Sequence, residues 1–319
     1  MLVLIAAGLA FWLLYAVFGD RSHPPAATQV IVPRGSTFAQ VARVLVDQGV
    51  ISNVTSFRLL ARVRGDEAAV RAGEYRFTPH LTQNEVLRAL VTGGAQVATW
   101  VTIPEGFTAT QIAQRLERDG VGAAAPFVRD FTHRGIVVGG VRTKSLEGFL
   151  FPSTYLMPLG ASPEQAAAPM LAEFFKELPR DATSRARALH VTVPQAVAVA
   201  SLVEREAKAE VDRPKIAEVI YNRLRLDMPL EVDATIEYAL PEHKTQLTFS
   251  DLKIDSPYNS YTHVGLPPTP IANPGLPSLE AALHPSKGDE LYYVYCGNGV
   301  HIFARTLAEH QANVARCLH

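Results

Sequence analysis

The chain has 319 residues and carries 30 Lys and Arg against 31 Asp and Glu, so its net charge is close to zero. The basic residues are spread along the sequence and form no basic stripe, which argues against nucleic acid as a partner. Cys296 and Cys317 are too few for a disulfide framework and do not by themselves build a zinc site, although a single bond between them suits an oxidising compartment. A chain of this length is expected to fold as two or three domains.

The first 18 residues are mostly apolar and contain no charged side chain, the first being Asp20. This run is long enough for a membrane-spanning helix. The alternative is the core of a signal peptide, but there is no basic segment before the run and no convincing Ala-x-Ala site after it. We therefore predict a retained anchor over residues 1–20. Counting charges leaves its orientation open, because only the α-amino group and Arg21 flank it.

A strand-turn-helix pattern occurs twice in the first half of the chain. Residues 30–42 and 101–113 each begin like a strand, turn at Pro-x-Gly and continue with apolar residues at helical spacing. A glycine follows each predicted helix, which is typical of a left-handed C-terminal cap. Between the copies, 72–77 is predicted as a strand and 82–85 as the capped start of another helix.

Farther along, Ser162 and Thr192 each begin a capping-box pattern with proline in the first turn of the predicted helix. The segment 148–152 alternates like a strand. From 256 to 277 proline recurs too often for a helix or a central strand, so 258–275 is predicted as an ordered loop. Its prolines reduce the entropy lost in holding one shape, which suits the wall of a groove.

One carboxylate on the helix that begins at Thr192 has an unusual setting. Helical spacing places Glu204 on a face with mostly small residues, including Ala200 and Ser201. Small neighbours leave room for a ligand, and partial burial raises a carboxyl pKa as a general acid requires. Glu206 lies about 200° around the helix and is expected to point away. The plain alternative is a solvent-exposed pair of Glu204 with the lysine four residues on.

Seven segments, in their order and spacing, closely resemble those of the YceG-like family, the endolytic murein transglycosylases. They are KSLEGFLFPSTY (144–155), ASLVEREA (200–207), VIYNRL (219–224), MPLEVDATIEY (228–238), SPYNSY (256–261), GLPPTPIANPG (265–275) and HIFART (301–306), the last followed by Glu309 and His310. Each segment alone is a weak signal. Seven in order make coincidence an unattractive explanation.

The resemblance implies an α+β fold with three parts. These are an N-terminal membrane helix (1–20), a LysM-like α/β module (26–97) and a mixed α+β catalytic region (98–319). Within the last, 98–143 holds the second strand-turn-helix unit and 144–319 the catalytic core. LysM modules elsewhere bind the N-acetylglucosamine backbone of glycans. The alternative is a spacer that holds the catalytic region off the membrane, since fold analogy does not establish binding.

The resemblance also implies a place and a reaction. The expected location is the inner membrane, crossed once, with the catalytic domain in the periplasm. The expected partners are peptidoglycan glycan strands and a peptidoglycan synthase. A hydrolase usually needs two carboxyls, whereas here one Glu protonates the oxygen between MurNAc and GlcNAc and then takes the C6 hydroxyl proton of the same MurNAc. A 1,6-anhydro ring forms without water, strand elongation ends, and we predict Glu204 for both steps.

Further residues are predicted to line the substrate groove. Tyrosines pack on sugar rings and reach their hydroxyls, asparagines pair with acetamido groups, and a carboxylate assists. The predicted substrate-binding residues are Glu147, Tyr155, Ser201, Tyr221, Asn222, Asp233, Tyr258, Asn259, Tyr261 and Asn273. Singly, each aromatic also fits a core position, and Asp233 also fits a turn or helix cap.

No metal or other cofactor is predicted. His263, His284, His301 and His310 are scattered, and the sequence contains no His-Glu-x-x-His motif. Two rival functions remain open. One is a glycan-binding scaffold without turnover, and the other is a metallo-hydrolase built on the C-terminal histidines.

Overall fold

A computed structural model describes residues 27–240, 244, 247–297 and 299–317, which form two compact units. The first unit contains residues 27–101, Leu116–Gly122 and Thr154–Ala161, and the second contains Thr102–Arg115, Ala123–Ser153 and the described residues from Ser162 onward. The predicted anchor, 1–20, lies outside the described residues. Within the described residues no single helix is long and apolar enough to span a membrane. The helices Ala182–Ala188 and Val193–Glu206 reach that length and apolar character only when they are counted together, and the pair is bent by 85°.

The chain forms short strands and mostly short helices. The strands are β1 (Thr28–Val32), β2 (Gly73–Phe77), β3 (Gln96–Thr102), β4 (Val137–Val138), β5 (Val141–Arg142), β6 (Thr154–Pro158), β7 (Tyr292–Tyr295) and β8 (His301–Ala304). The helices are α1 (Phe38–Asp47), α2 (Val54–Arg64), α3 (Gln83–Thr92), α4 (Ala109–Arg118), α5 (Ala124–His133), α6 (Pro163–Glu177), α7 (Ala182–Ala188), α8 (Val193–Glu206), α9 (Arg213–Arg225), α10 (Asp233–Ala239), α11 (Leu276–Leu283) and α12 (Leu307–Cys317). The chain is therefore a mixed α+β protein, as predicted.

The first unit is built on a four-stranded sheet in the order β1-β2-β3-β6. β1 and β2 pair antiparallel, with Thr28 opposite Phe77, and β2 pairs antiparallel with β3. Alternate residues of these strands, such as Val30 and Tyr75, are buried with the apolar faces of α1 to α3. The predicted strand-turn-helix pattern is confirmed by β1 and α1 and again by β3 and α4.

The second unit packs around α8. Thr192 caps this helix in a capping box with Gln195, as predicted, and every residue from Ala196 to Val203 is buried. α8 contacts α7, α9, α10 and α11, and its apolar side chains belong to one continuous core. The β7–β8 hairpin and α12 complete the unit, and a disulfide between Cys296 and Cys317 joins the residue after β7 to the end of α12.

The proline-rich segment 258–275 is a loop, as predicted. It lies against the small-residue face of α8, where the Ile271 N–H donates to Ser201 Oγ at 3.0 Å. Residues 148–152, whose alternation resembles that of a strand, form turns and extended chain, and β6 begins only at Thr154. Phe149 and Phe151 are nevertheless buried in the core, because their apolar side chains find partners without a neighbouring strand.

Gly148 is a position where only glycine fits. Its φ is +90°, and an added Cβ would collide with the ring of Pro270 in the proline-rich loop. We predict that Gly148→Ala lowers the free energy of unfolding by at least about 2 kcal/mol, from left-handed backbone strain and overpacking together. Gly265→Ala is the matched control, since its φ is +96° and no atom lies within 4 Å of the added Cβ. Chemical denaturation gives the loss in free energy of unfolding for each variant, and the difference between the two losses is the contribution of packing against Pro270. Equal losses would contradict the close approach of Gly148 to Pro270.

Candidate active site

Three charged residues leave the core at the C-terminal end of α8. Glu204, Arg205 and Glu206 follow directly on the buried stretch that ends at Val203. Successive residues of a helix point about 100° apart, so the three side chains leave in different directions. Each meets a different partner: Glu204 meets Arg213, Arg205 meets Glu237, and Glu206 meets Tyr293.

Glu204 is held by two donors. Its Oε1 lies 3.3 Å from Nη1 of Arg213, and its Oε2 accepts the Gly275 N–H at 3.0 Å. Only 7% of its side chain is exposed, and Arg213 also hydrogen-bonds to Ser278. Burial first, and then the Glu204 charge, raise the pKa of Glu105 nearby. Glu204 therefore acts as an acceptor that fixes the start of α11 and the residues before it.

Glu206 lies at the edge of a cavity of about 600 Å³, which we call the first cavity. As predicted from helix geometry, this side chain points away from Glu204, and it is the one that borders the cavity. The cavity is lined by Arg205, Glu206, Lys208, Arg223, Leu230, Glu231, Asp233, Ala234, Glu237, Tyr261, Tyr293, Val294, Tyr295, His301 and His310. Glu206 is thus the glutamate of α8 that a ligand in this cavity can reach.

The surroundings of Glu206 favour its protonated form. Burial raises its pKa to about 7, and the charges of Asp233 and Glu237 act in the same direction. The Tyr293 hydroxyl donates to Glu206 Oε2 at 3.0 Å, and this bond and Lys208 act in the opposite direction. A carboxyl that titrates near neutral pH can both give and take a proton, as acid–base catalysis requires.

The part of the first cavity that carries Tyr293 is fixed by ionic and hydrogen-bonded contacts. His301 Nδ1 lies 2.9 Å from Asp212 Oδ2, and the same oxygen accepts the His301 N–H at 2.8 Å. Arg223 pairs with Glu231 at 2.8 Å and also donates to backbone carbonyls, including that of Leu291 at 2.7 Å. These contacts hold the β7–β8 hairpin, which carries Tyr293, in place.

A second cavity, of about 450 Å³, adjoins the first. It is lined by Thr108, Thr110, Gln111, Gln114, Arg205, Ala234, Glu237, Tyr238, Leu240 and Ile271. Arg205, Ala234 and Glu237 line both cavities. The Arg205–Glu237 ion pair, at 2.8 Å, therefore lies on the border between them.

Glu147 is buried at the centre of a hydrogen-bond network. It accepts the Ala109 N–H at 3.0 Å, the Asn273 side-chain amide at 2.9 Å and the Tyr238 hydroxyl at 3.2 Å. It is 2% exposed and lines neither cavity, and burial raises its pKa to about 7 despite these bonds. Its position is that of a structural carboxyl joining α4, α10 and the proline-rich loop.

Of the predicted substrate-binding residues, only Asp233 and Tyr261 line the first cavity. They contact each other, with the Tyr261 hydroxyl donating to Asp233 Oδ1 at 2.5 Å. The others are occupied in holding backbone or core. This group comprises Glu147, Ser201, Tyr221, Asn222, Tyr258, Asn259 and Asn273 in the second unit, and Tyr155, a buried residue of β6 in the first.

The bonds of this second group show why polar residues recur in the seven segments. Asn259 donates to the carbonyls of Leu252 and Ile254, and Asn273 accepts the Leu150 N–H and donates to the Phe107 carbonyl. Such side chains satisfy the backbone of loops that have no regular structure. Recurring Asn and Tyr in a proline-rich stretch therefore indicate loop anchoring here more often than ligand contact.

The residues that the sequence analysis did not choose are Glu206, Tyr293 and His301. Glu206 was excluded because the space beside α8 was assigned to the face of Glu204. The other two have no signal in the sequence, because the strands 292–295 and 301–304 do not alternate between buried and exposed positions. Among the described residues no group of three or more His, Cys, Asp or Glu side chains is placed to hold a metal ion.

Comparison with known proteins gives consistent matches. Residues 30–316 match the model of the YceG-like family. An endolytic murein transglycosylase of Bacillus subtilis (strain 168) is 33% identical over 297 residues, covering 88% of this chain and 81% of the relative. One of Streptococcus pneumoniae serotype 2 (strain D39) is 31% identical over 98% of this chain and 63% of its own length. A crystal structure of a yceG-like protein of Listeria monocytogenes covers 90% of this chain and 99% of its own, with a TM-score of 0.63 and 31% identity.

The buried network predicts the effect of changing Glu147. Near pH 5 Glu147 is protonated, so in Glu147→Gln an NH2 with two donor hydrogens replaces a single O–H among protein donors, and we expect a loss of about 1–3 kcal/mol in the free energy of unfolding. The pKa of Glu147 is about 7 in the folded protein and 4.5 for the ordinary residue, so the folded protein holds the extra proton between these values. Its stability contribution therefore falls as pH rises from 4.5 to about 7, and this slope disappears in the variant.

Thermal unfolding of both proteins across pH 4.5 to 8 measures the difference. Glu280→Gln, at an exposed position on α11, is the control for loss of a surface charge. A Glu147→Gln protein with the same stability and the same pH slope as the parent would show that Glu147 is not the buried acceptor described here.

Proposed function

Because the chain belongs to the YceG-like family, we propose that it is a lytic murein transglycosylase, a carbon–oxygen lyase acting on a polysaccharide. Its proposed substrate is the glycan strand of peptidoglycan, cleaved between MurNAc and GlcNAc within the strand. The single observation that carries the proposal is the position of Glu206, a carboxyl with a pKa near 7 at the edge of the first cavity. The names of the relatives support the reaction class.

The proposed reaction needs one carboxyl in two protonation states. Protonated Glu206 gives its proton to the oxygen that links MurNAc C1 to GlcNAc, and the C1–O bond breaks with that oxygen leaving as a hydroxyl. The Glu206 carboxylate then takes the proton of the MurNAc C6 hydroxyl, and O6 bonds to C1. Glu206 ends protonated as it began. The products are a 1,6-anhydroMurNAc end and a free GlcNAc end, and no water enters.

The geometry favours Glu206 over Glu204, the residue chosen from the sequence. Both oxygens of Glu204 accept bonds from protein donors, and Glu204 lines neither cavity. Glu206 has one protein donor, Tyr293, and lies beside about 600 Å³ of space. A general acid has to come within hydrogen-bond reach of the oxygen it protonates. Glu204 is the alternative candidate for the general acid, and the two glutamine variants distinguish between the two residues.

Carboxylates are proposed to stabilise a sugar intermediate with positive character, although the first cavity also holds Arg205 and Arg223, which are paired with Glu237 and Glu231. Asp233 and Glu231 line the cavity together with Glu206, and the Tyr261 hydroxyl holds the Asp233 carboxylate in place. Carboxylates near the reacting carbon stabilise an oxocarbenium-like transition state electrostatically. Asp233 is also the residue that would serve as second carboxyl if the enzyme were a hydrolase, and product analysis separates the two reactions.

The remaining parts of the proposal rest on the sequence. Residues 1–20 anchor the enzyme in the inner membrane, with the catalytic domain in the periplasm, because their apolar run has the length of a spanning helix. The LysM-like module over 26–97 binds glycan or sets the distance from the bilayer. Confinement near the membrane raises the effective concentration of newly made strands. This favours a peptidoglycan synthase as partner and makes the cleavage a terminator of strand elongation.

Two matched variants test the identity of the acid. We expect Glu206→Gln to lower kcat on uncrosslinked glycan strands by about a hundredfold or more, because the amide keeps the shape but exchanges no proton. Glu204→Gln is expected to retain most of kcat per folded molecule. It should instead lower the free energy of unfolding by about 3 kcal/mol, since it removes one partner of a nearly buried ion pair.

Mass spectrometry of the products completes this test. Anhydro ends from the parent protein identify a transglycosylase, and reducing ends identify a hydrolase. The reverse pattern, with Glu204→Gln folded but inactive and Glu206→Gln active, would return the catalytic role to Glu204. Normal glycan binding without turnover in the parent would instead favour a binding scaffold.

The pKa of Glu206 predicts the pH dependence of the reaction. The acid must be protonated, so kcat/KM should fall as pH rises through about 7. The Tyr293 hydroxyl stabilises the Glu206 carboxylate and so lowers the pKa of Glu206. Tyr293→Phe should therefore raise this pKa and shift the fall in kcat/KM to higher pH. Tyr295→Phe is the control, because Tyr295 lines the same cavity and packs on His301 as Tyr293 does, whereas the hydroxyl that donates to Glu206 is that of Tyr293. If kcat/KM of Tyr293→Phe falls at the same pH as that of the parent, the link between this hydroxyl and the acid is disproved.

A further inference from the structure

The second cavity has walls of a different chemistry from the first. Its charged groups, Arg205 and Glu237, are paired with each other at 2.8 Å. The remaining walls are neutral: threonine hydroxyls, glutamine amides, one tyrosine and apolar side chains. These residues are Thr108, Thr110, Gln111, Gln114, Tyr238, Ala234, Leu240 and Ile271. Hydroxyls and amides beside an aromatic ring suit an uncharged ligand that has both polar groups and apolar faces.

The polar groups on the α4 side are held in place before any ligand arrives. Thr108 accepts the Gln111 N–H at 3.1 Å through Oγ1, and Gln111 accepts the Thr108 N–H at 2.9 Å through Oε1. This is a capping box, which fixes both side chains at the start of α4. Binding groups that are already ordered lose less entropy when a ligand binds.

The aromatic wall is equally fixed. The Tyr238 hydroxyl donates to buried Glu147 at 3.2 Å, and the Tyr238 ring packs on that of Tyr258 with centroids 4.9 Å apart. Glu147 in turn accepts the N–H of Ala109, the first residue of α4. One buried carboxylate therefore sets the distance between the two walls of the second cavity.

The position of the second cavity relative to Glu206 decides what it can bind. Arg205, Ala234 and Glu237 line both cavities, whereas Glu206 lines only the first. A linear polymer bound at Glu206 therefore passes into the second cavity by crossing the Arg205–Glu237 pair. The volume of about 450 Å³ lies within the range of about 300–1,000 Å³ usual for ligand sites.

We propose that the second cavity is a binding site for neutral N-acetylated sugars of the same glycan strand, beyond the sugars that the first cavity holds at Glu206. This inference takes the identity of the polymer from the proposed function. The chemistry of the cavity walls is independent of that proposal. Its consequence is a length requirement. A strand that fills both cavities binds more tightly than one that ends at the Arg205–Glu237 pair, which directs cleavage to the interior of long strands.

Blocking variants test the second cavity by binding. The probe is a hexamer of N-acetylglucosamine, a neutral polymer, titrated calorimetrically into the full chain carrying Glu206→Gln so that no turnover occurs. Thr110→Trp fills the cavity from an exposed position on the first turn of α4. Thr183→Trp is the matched control, because Thr183 is exposed at the corresponding position of α7, outside both cavities.

We expect Thr110→Trp to weaken hexamer binding by about tenfold or more and Thr183→Trp to leave it unchanged. In the chain with Glu206 intact, Thr110→Trp should raise KM for long strands by a similar factor with kcat within about twofold, since the lost contacts are made equally before and during the reaction. Gln114→Ala, a milder change on the same wall, should weaken hexamer binding by about threefold.

Three results would overturn the proposal. They are absence of hexamer binding to the Glu206→Gln protein, equal affinity of the two tryptophan variants, or, should Thr110→Trp not fold, unchanged affinity of Gln114→Ala. The proposed reaction fails separately. If Glu206 is not the acid, Glu206→Gln still cleaves the substrate, whereas Thr110→Trp still weakens binding. If the second cavity does not bind glycan, Glu206→Gln is inactive as expected, whereas Thr110→Trp binds the hexamer as well as Thr183→Trp does.

Discussion

The burial of α8 is the constraint on which the second unit depends. Every residue from Ala196 to Val203 is buried, so the middle of the helix carries no charge. Glu204, Arg205 and Glu206 occupy the C-terminal end of the helix, and their three directions assign them three roles. Glu204 fixes the start of α11, Arg205 borders the two cavities, and Glu206 faces the first. A basic residue in the last turn also suits the negative end of the helix dipole.

Local signals in the sequence were enough to predict much of the secondary structure. The capping boxes at Thr82, Ser162 and Thr192 all form, and 258–275 is the loop that its prolines indicate. These features depend on residues three or four apart, so no knowledge of distant partners is needed. The alternation in 148–152 reflects packing and not a strand, since Phe149 and Phe151 are both buried in the core.

The site was harder to predict because its geometry depends on contacts distant in sequence. Small residues such as Ala200 and Ser201 were taken to leave room for a ligand beside Glu204. In the structure that room is filled by the proline-rich loop, whose Ile271 N–H bonds to Ser201 and whose Gly275 N–H bonds to Glu204. A row of small side chains permits close approach of any backbone, and the sequence does not say whether the occupant is substrate or the protein's own chain.

A raised pKa alone does not identify the acid in this protein. Burial raises the pKa of Glu147, Glu206 and Glu218 to about 7 in each case. Glu147 is surrounded by protein donors, and Glu218 lies beside the carboxylate of Glu290, which raises its pKa further. Only Glu206 among the three lines either cavity. Perturbed titration and access to space are separate requirements, and their coincidence at the end of α8 is the reason for proposing Glu206 as the acid.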